Sequence, residues 1–544
     1  MLKNLRTFME NEGITLFVVN STDEYLSEYV SLDKNARYLI TGFSGSTGDA
    51  IVTPHEVFLF VDGRYYLQAE KQTNPDVVTV VKVGMDKSPL KALYEKLAEL
   101  ATANVKIGIV STKTSCSAFK EMQKALEDKQ DVIIAEYEFD PVSPAQPPVD
   151  EKKLKYVPLA ISGKITPQKM ELVKKYTHDN NIDLLLITNL EEIAYLTNLR
   201  GKEIPYSSSF KAKAAVFWDK LHIFRTESKF DQFIKSVKAE NVYFCPGSTT
   251  LSVYRKAEKA SDKLVEIKDS FISELKSIKT AQELDYMQEC YLKTDIVVNR
   301  TICWLNQNLE KGIKVSEKDL SDKVKNLFIE EGATGLSFET ITASGDNTAF
   351  IHYTSPDAER AIKAGDLILL DCGAYFEYGY ATDQTRTFLA GGMQATATDL
   401  QKHVYTAVLK AFLTGLNYEV KEDTTGFDID KRVREVIEAN KPEGFFFSHS
   451  TGHGVGIPVH EAPPKIGPTE ASKILLKPNM CFTIEPGLYC EGKGGVRIEN
   501  TVALINGKIK TLTRAGFDEN LINYDMLSEQ EKVWLQEYNR IKVG

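Results

Sequence analysis

GDLILLDCGAYFEYGYATDQTRTF, residues 365–388, sets two apolar runs on either side of a Gly-containing turn, with Asp371 ending the first run and Asp383 lying on the second. Strand alternation puts Leu367, Leu369 and Asp371 on one face. A carboxylate at the end of a run as apolar as LILLD meets a severe desolvation cost unless something compensates it. The two runs read as paired strands, which would bring both carboxylates to one spot. Taken alone, the two aspartates read more readily as edge-of-sheet residues in turns, so residues further along the chain must decide between the two.

Three more potential ligands come later in the chain: His453 in STGHGVG (450–456), Glu485 in TIEPGLY (483–489) and Glu499 in GGVRIEN (494–500). Glu485 follows Phe482 and Ile484 and precedes a Pro-Gly turn, while Arg497 and Glu499 alternate with Val496 and Ile498, so both glutamates can face a polar pocket. Alone, each is also a satisfied strand-end glutamate, one of them paired with Arg497. Together, four carboxylates and one imidazole balance and bridge two divalent cations, a constellation that points to hydrolysis by a metal-bound water.

Of eight histidines in the chain, His449, His453 and His460 cluster in FSHSTGHGVGIPVHEAP (447–463), which chance explains poorly. Glycines beside His453 let the backbone approach a metal closely, and His460 is far enough on to return across a cleft. His352, in NTAFIHYTSP, is isolated, and spacing alone says little about it. Cys372 neighbours a candidate ligand but reads as a small strand filler.

A chain of 544 residues with 42% hydrophobic content implies two to four folded domains. A net charge of −10 argues against a nucleic-acid partner, which would need clustered Lys and Arg. Seven scattered cysteines without CxxC spacing, and the lack of a signal-peptide core or membrane-length apolar run, lead us to expect a cytoplasmic protein.

PVSPAQPPVD (141–150), with four prolines, reads as a linker closing a mixed α/β domain over 1–150. Within it, ITLFVVN, ARYLITGF, GDAIVT, EVFLFVD and VKIGIV read as strands, KSPLKALYEKLAELA and CSAFKEMQKALED as helices, and GFSGSTGD (42–49) as a hairpin or turn. A second α/β domain over 151–272 echoes the first: NIDLLLITNLEEIAYLTNLRG repeats the strand, Asn turn and acidic-starting helix of GITLFVVNSTDEYLSEYV. A third domain, 273–544, opens with a long helix capped by Thr280 and Glu283 and continues as α+β with a curved antiparallel sheet.

These residues resemble the pita-bread metallopeptidases, among them methionine aminopeptidases, prolidases and Xaa-Pro aminopeptidases, and all five ligand motifs match. SEY (27–29), GFSGSTGDAIVT (42–53), DGRYYLQA (62–69) and LEEIAYLTNLRG (190–201) look like the three-domain, cytosolic-type Xaa-Pro aminopeptidases, so the resemblance spans nearly the whole chain. It implies two creatinase-like N-terminal α/β domains before a pita-bread α+β catalytic domain. It implies that Asp371, Asp383, His453, Glu485 and Glu499 bind two divalent ions, usually Mn2+. It further implies that His352, His449 and His460 contact substrate, that Arg64 reaches the site from the first domain of its own or a neighbouring subunit in a homodimer, and that Tyr489 and Arg497 line the pocket.

The activity so implied is release of the N-terminal residue from peptides with proline second, by a hydroxide bridging the metals. That scissile nitrogen bears no hydrogen, so a dedicated pocket for the pyrrolidine ring is needed. Glu485 would take the water proton and pass it to the proline nitrogen, with His460 and His352 at the developing oxyanion. Two departures from the family pattern bear on pocket shape: the eleven residues between Asp371 and Asp383 imply a longer hairpin tip or bulge, and the His453–His460 spacing resembles prolidases and shorter bacterial enzymes. A prolidase restricted to dipeptides is the rival within the enzyme class. A non-catalytic peptidase-like binding module is the rival outside it, and such modules typically lose ligands that are all present here.

Overall fold

The computed structural model describes residues 1–102, 104–143, 154–261, 263–392 and 395–541, which leaves most of the Pro-rich stretch expected as a linker outside the described residues. The chain divides into two compact units. One comprises Met1–Lys155, Ile165–Pro205 and Ser209–Ile272; the other comprises Tyr156–Lys164, Tyr206–Ser208 and Ser273–Gly544.

The first unit holds two sheets. In the first, β1 (Leu16–Val19), β2 (Ala50–Val52), β3 (Val57–Val61), β4 (Val78–Lys82), β5 (Val105–Val110) and β6 (Val132–Tyr137) are ordered β4-β3-β2-β1-β5-β6. Alternation along the strands builds a core on each face: Leu16, Val18, Phe58, Phe60, Ile107 and Ile109 pack on one side, and Phe17, Val19, Val57, Leu59 and Val61 on the other. Burial on both faces is why β1 and β3 read as continuous apolar runs.

The second sheet contains β7 (Leu184–Ile187), β8 (Lys213–Phe217), β9 (Lys220–Phe224), β10 (Asn241–Phe244) and β11 (Lys263–Glu266), in the order β9-β8-β7-β10-β11. This repeats the β3-β2-β1-β5-β6 order, with antiparallel pairing on one side of the central strand and parallel pairing on the other in both sheets.

Two local expectations fail. ARYLITGF forms a helix, Ala36–Thr41, not a strand, because the Asn35 side chain accepts the Tyr38 N–H at its start and Gly42, at φ 79°, closes it in the left-handed region. The helix expected after β1 is missing, since residues 21–35 contain none. There the Asp23 carboxylate accepts the N–H groups of Tyr25 and Ser27 and holds a turn, whereas Asn189 caps the corresponding helix Leu190–Thr197 in the second half. Strands β4 and β6 were not foreseen: each is an edge strand with an exposed or half-buried face.

The second unit opens with the helix Ala281–Glu310, whose capping box is in place: Thr280 Oγ1 accepts the Glu283 N–H at 3.1 Å and Glu283 Oε2 accepts the Thr280 N–H at 2.8 Å. In place of the single curved sheet expected here, the described residues form two antiparallel sheets, a hairpin and a short antiparallel pair of Gly335–Leu336 with Ala374–Tyr375. β12 (Ile341–Ser344), β13 (Leu367–Cys372) and β14 (Gln384–Leu389) form one sheet in that order. β15 (Gly452–Gly454), β16 (Glu461–Ile466), β17 (Cys481–Ile484), β20 (Asn500–Ile505) and β21 (Lys508–Thr511) form the other, ordered β16-β15-β17-β20-β21, with β18 (Gly487–Cys490) and β19 (Gly494–Arg497) as the hairpin. The two sheets meet where the Glu499 N–H donates to the Thr385 carbonyl at 3.1 Å.

Helices Asp399–Leu416 and Gly426–Asn440 cover one face of this arrangement, packing Val408, Phe412, Val433 and Ile437 with Phe482, Ile484, Val496, Ile498 and Val502. The alternate residues Thr483, Glu485, Arg497 and Glu499 project to the other face, and that is where the chemistry gathers.

Candidate metal centre

β13 and β14 pair antiparallel as expected, with Asp371 opposite Thr385 and Cys372 opposite Gln384. Gly373 lets the turn between them fold tightly, since a Cβ there would lie 1.9 Å from the Thr382 carbonyl oxygen. Gly452 does the same before His453, where a Cβ would lie 1.9 Å from the Thr483 oxygen. Both glycines are required by close backbone approach beside a candidate ligand.

Asp383, His453 and Glu499 present ligand atoms all within 4.8 Å of one another. His453 Nε2 lies 3.4 Å from Asp383 Oδ2 and 3.7 Å from Glu485 Oε1. His453 Nδ1 lies 3.0 Å from the Gly454 carbonyl, which makes that nitrogen the donor and turns the Nε2 lone pair toward the carboxylates. Glu499 Oε2 accepts the Thr385 hydroxyl at 2.7 Å. Asp371 Oδ2 accepts from Arg497 Nη2 at 2.6 Å, while Asp371 Oδ1 is buried with no hydrogen-bond partner among the described residues.

Electrostatics bind the four acids into one group. Burial pushes the carboxyls of Asp371, Asp383 and Glu485 up to about 6, 7 and 7, partly offset by Arg497 in each case. Glu499 is raised well above the usual range, by burial first and then by Asp383, Glu485 and Asp371. Three buried acids and the half-buried Glu485 around one imidazole call for compensating positive charge, and oxygen-rich donors with one nitrogen suit hard or borderline dications. The orphaned Asp371 Oδ1 and the three converging ligands fit such ions.

Around this group stands the remainder of the expected site. Arg497 donates to the Tyr489 hydroxyl at 2.8 Å and to the Ile351 carbonyl at 3.3 Å, which fixes the backbone beside His352. Tyr489 OH lies 2.8 Å from His449 Nε2, and His449 Nδ1 lies 2.8 Å from the Ser450 carbonyl and 3.8 Å from Glu485 Oε2. The rings of His453 and His460 meet edge to face, with centroids 4.5 Å apart and planes at 87°. Arg64 belongs to the other unit, where Asp62 accepts from it at 2.8 Å and Thr47 at 3.1 Å.

Sequence reasoning missed Thr385, which holds Glu499 and accepts Arg497 Nε at 3.1 Å. The signal was present: Thr385 follows Asp383 by two residues and so shares its face. It also missed Asp430, whose carboxylate takes the Thr451 hydroxyl at 2.8 Å beneath the His453 segment.

Residues 285–506 match metallopeptidase family M24, and residues 1–142 and 145–283 each match the creatinase/prolidase N-terminal domain. The chain is 31% identical over 583 residues to a Laccaria bicolor protein named "Probable Xaa-Pro aminopeptidase P", covering 99% of this chain and 89% of the relative. An uncharacterized peptidase of Schizosaccharomyces pombe is also 31% identical, covering 99% and 94%. Among solved structures, an X-prolyl aminopeptidase from Caenorhabditis elegans, described as a cytosolic enzyme with a di-nuclear active site, superposes with a TM-score of 0.88 at 25% identity, covering 99% and 94%. A prolidase from Pyrococcus furiosus matches at 27% identity and TM-score 0.52, covering 62% of this chain and 98% of its own.

Proposed function

The chain belongs to metallopeptidase family M24, and from that membership we propose that it is a Xaa-Pro aminopeptidase, releasing the residue that precedes a proline at the second position of a peptide. The observation that carries this reading is the convergence of Asp383, His453 and Glu499, flanked by Glu485 and Asp371, in a chain matched end to end by relatives of that name. The Pyrococcus furiosus prolidase covers 62% of this chain, which favours the aminopeptidase over the dipeptidase.

In this reading Asp371, Asp383, His453, Glu485 and Glu499 hold two divalent ions, with Mn2+ as the physiological metal. When bound, such ions supply an activated water and polarise the scissile carbonyl. Glu485, placed between His453 and His449, accepts the water proton and returns it to the departing proline nitrogen. His460 and His352 hold the carbonyl oxygen as it gains charge. Arg497 keeps Asp371 and Tyr489 in place, and Tyr489 holds His449 at the pocket wall. Arg64 extends the substrate site in a homodimer, within its own subunit or across to its neighbour.

The domain partition at 1–150, 151–272 and 273–544 is part of the same proposal, supported by a separate sheet in each N-terminal segment. So is a cytoplasmic location, supported by the likeness to an enzyme described as cytosolic; among the described residues no helix is long and apolar enough to cross a membrane. The test is to load the protein with Mn2+ and compare Arg-Pro-Pro with Arg-Pro. Free Arg from the tripeptide supports the reading, cleavage of the dipeptide alone favours a prolidase, and neither metal nor turnover favours a binding module.

A further inference from the structure

Directly after His460 comes Glu461, a carboxylate only 2% exposed, facing two ammonium groups that are nearly as buried: Lys276 at 4% and Lys279 at 3%. Lys279 Nζ lies 2.8 Å from Glu461 Oε2, and Lys276 Nζ lies 3.4 Å from Glu461 Oε1. Lys279 also donates to the carbonyls of Lys276 and Ser277 at 3.0 and 3.1 Å, so its three hydrogens are all placed. Two buried cations and one buried anion are a costly arrangement for stability alone, because apolar residues of similar volume would commonly serve as well.

The surroundings indicate what the arrangement holds. The Glu461 carboxylate lies against Gly456, where a Cβ would come within 1.9 Å of Oε1. Gly456 in turn accepts the Ala381 N–H at 2.8 Å, two residues before Asp383. Lys279 donates its backbone N–H to Asn479 at 3.0 Å, ahead of the strand that leads to Glu485. The turn from Gly456 to Glu461, which carries His460, is therefore braced at one end by its own carboxylate and at the other by the Asp383 hairpin.

We propose that Lys276, Lys279 and Glu461 are positioning residues for the reaction: the ion triad fixes the turn that sets the His460 ring edge to face on His453, and so places His460 at the reacting carbonyl. This rests on the role given to His460 above. Charge serves here because an ion triad fixes direction and distance, which an apolar contact leaves loose.

The test is a cycle of Glu461→Gln with His460→Ala in Mn2+-loaded protein. Glu461→Gln should lower kcat on Arg-Pro-Pro by about ten- to hundredfold, with bound metal per chain unchanged, and should cost less than about threefold once His460 is already Ala. An equal loss in both backgrounds, or none in either, would overturn the proposal. Because Glu461→Gln leaves two buried ammonium groups opposed by a neutral amide, Lys276→Met/Glu461→Gln, which restores the net charge of the triad, guards against unfolding and should show the same loss. In protein labelled at histidine and loaded with a diamagnetic dication, the His460 ring resonances should move in both variants while His178 and His403 stay put. Unmoved His460 resonances would overturn the proposal, and this readout holds whether or not Arg-Pro-Pro is the substrate. Failure of the wild-type protein to cut Arg-Pro-Pro would instead count against the aminopeptidase reading.

Discussion

Arg497 Nη2 stands 2.6 Å from Asp371 Oδ2, joining residues 126 positions apart, and both side chains are buried. The same guanidinium reaches Tyr489, Thr385 and the Ile351 carbonyl, so one planar cation sets the orientation of an expected metal ligand and of the pocket wall together. A lysine has a charge but not this fork.

Arg497→Lys should therefore leave the protein folded and weaken dication binding about 10- to 100-fold, the usual cost of losing a group that orients a ligand. Isothermal titration with Mn2+ measures it, and an unchanged Kd would show that Asp371 needs no orientation.

Thr385→Val removes the hydroxyl that donates to Glu499 while keeping nearly the same volume. Metal affinity should fall about tenfold, with thermal stability of the metal-loaded protein lowered by about 1–3 kcal/mol for the unsatisfied partners. Metal content after dialysis and thermal unfolding read the two effects separately.

Gly452→Ala should be far more damaging than its size suggests, because the added methyl meets the Thr483 carbonyl at 1.9 Å and both strands are fixed by pairing. We expect a loss of about 1–3 kcal/mol or more, with His453 displaced and bound metal lost. A variant that keeps wild-type melting behaviour and metal content would contradict the close approach.

Metal removal should reverse the pH dependence of stability near neutrality. Burial raises the folded carboxyls of Asp371, Asp383 and Glu485 to about 6, 7 and 7, so the metal-free native chain holds more protons than the unfolded chain between about pH 4 and pH 7. Its stability is then greatest below that window and falls as pH rises through it, by at most about 1.4 kcal/mol per pH unit for each proton released. Denaturant unfolding from pH 4.5 to 7.5, with chelator and with Mn2+, should show this slope only in the chelated protein.

The expected ligands were legible because strand alternation and Gly-punctuated turns are local: Glu485 beside Ile484 and Glu499 beside Ile498 declare their face within a few residues. The partners that hold them were not, because they join across the fold. Lys279 meets Glu461 over 182 positions, and nothing in HEAPP indicates a buried cation opposite. The helix Ala36–Thr41 was misread for the opposite reason: its β-branched and aromatic residues favour a strand, and one Asn side chain overrides them. The doubled sheet was glimpsed through matching stretches of sequence, yet the shared order of five strands became visible only once β6 in the first sheet and β10 and β11 in the second were placed.

The most direct test of the account is a joint measurement of metal content and product on one sample. After reconstitution with Mn2+, the wild-type chain should hold two ions and convert Arg-Pro-Pro to Arg and Pro-Pro, and His453→Ala should lose both metal and turnover together. A wild-type chain that holds two ions and leaves Arg-Pro-Pro intact, or a His453→Ala variant that cuts it at the wild-type rate, would contradict the account.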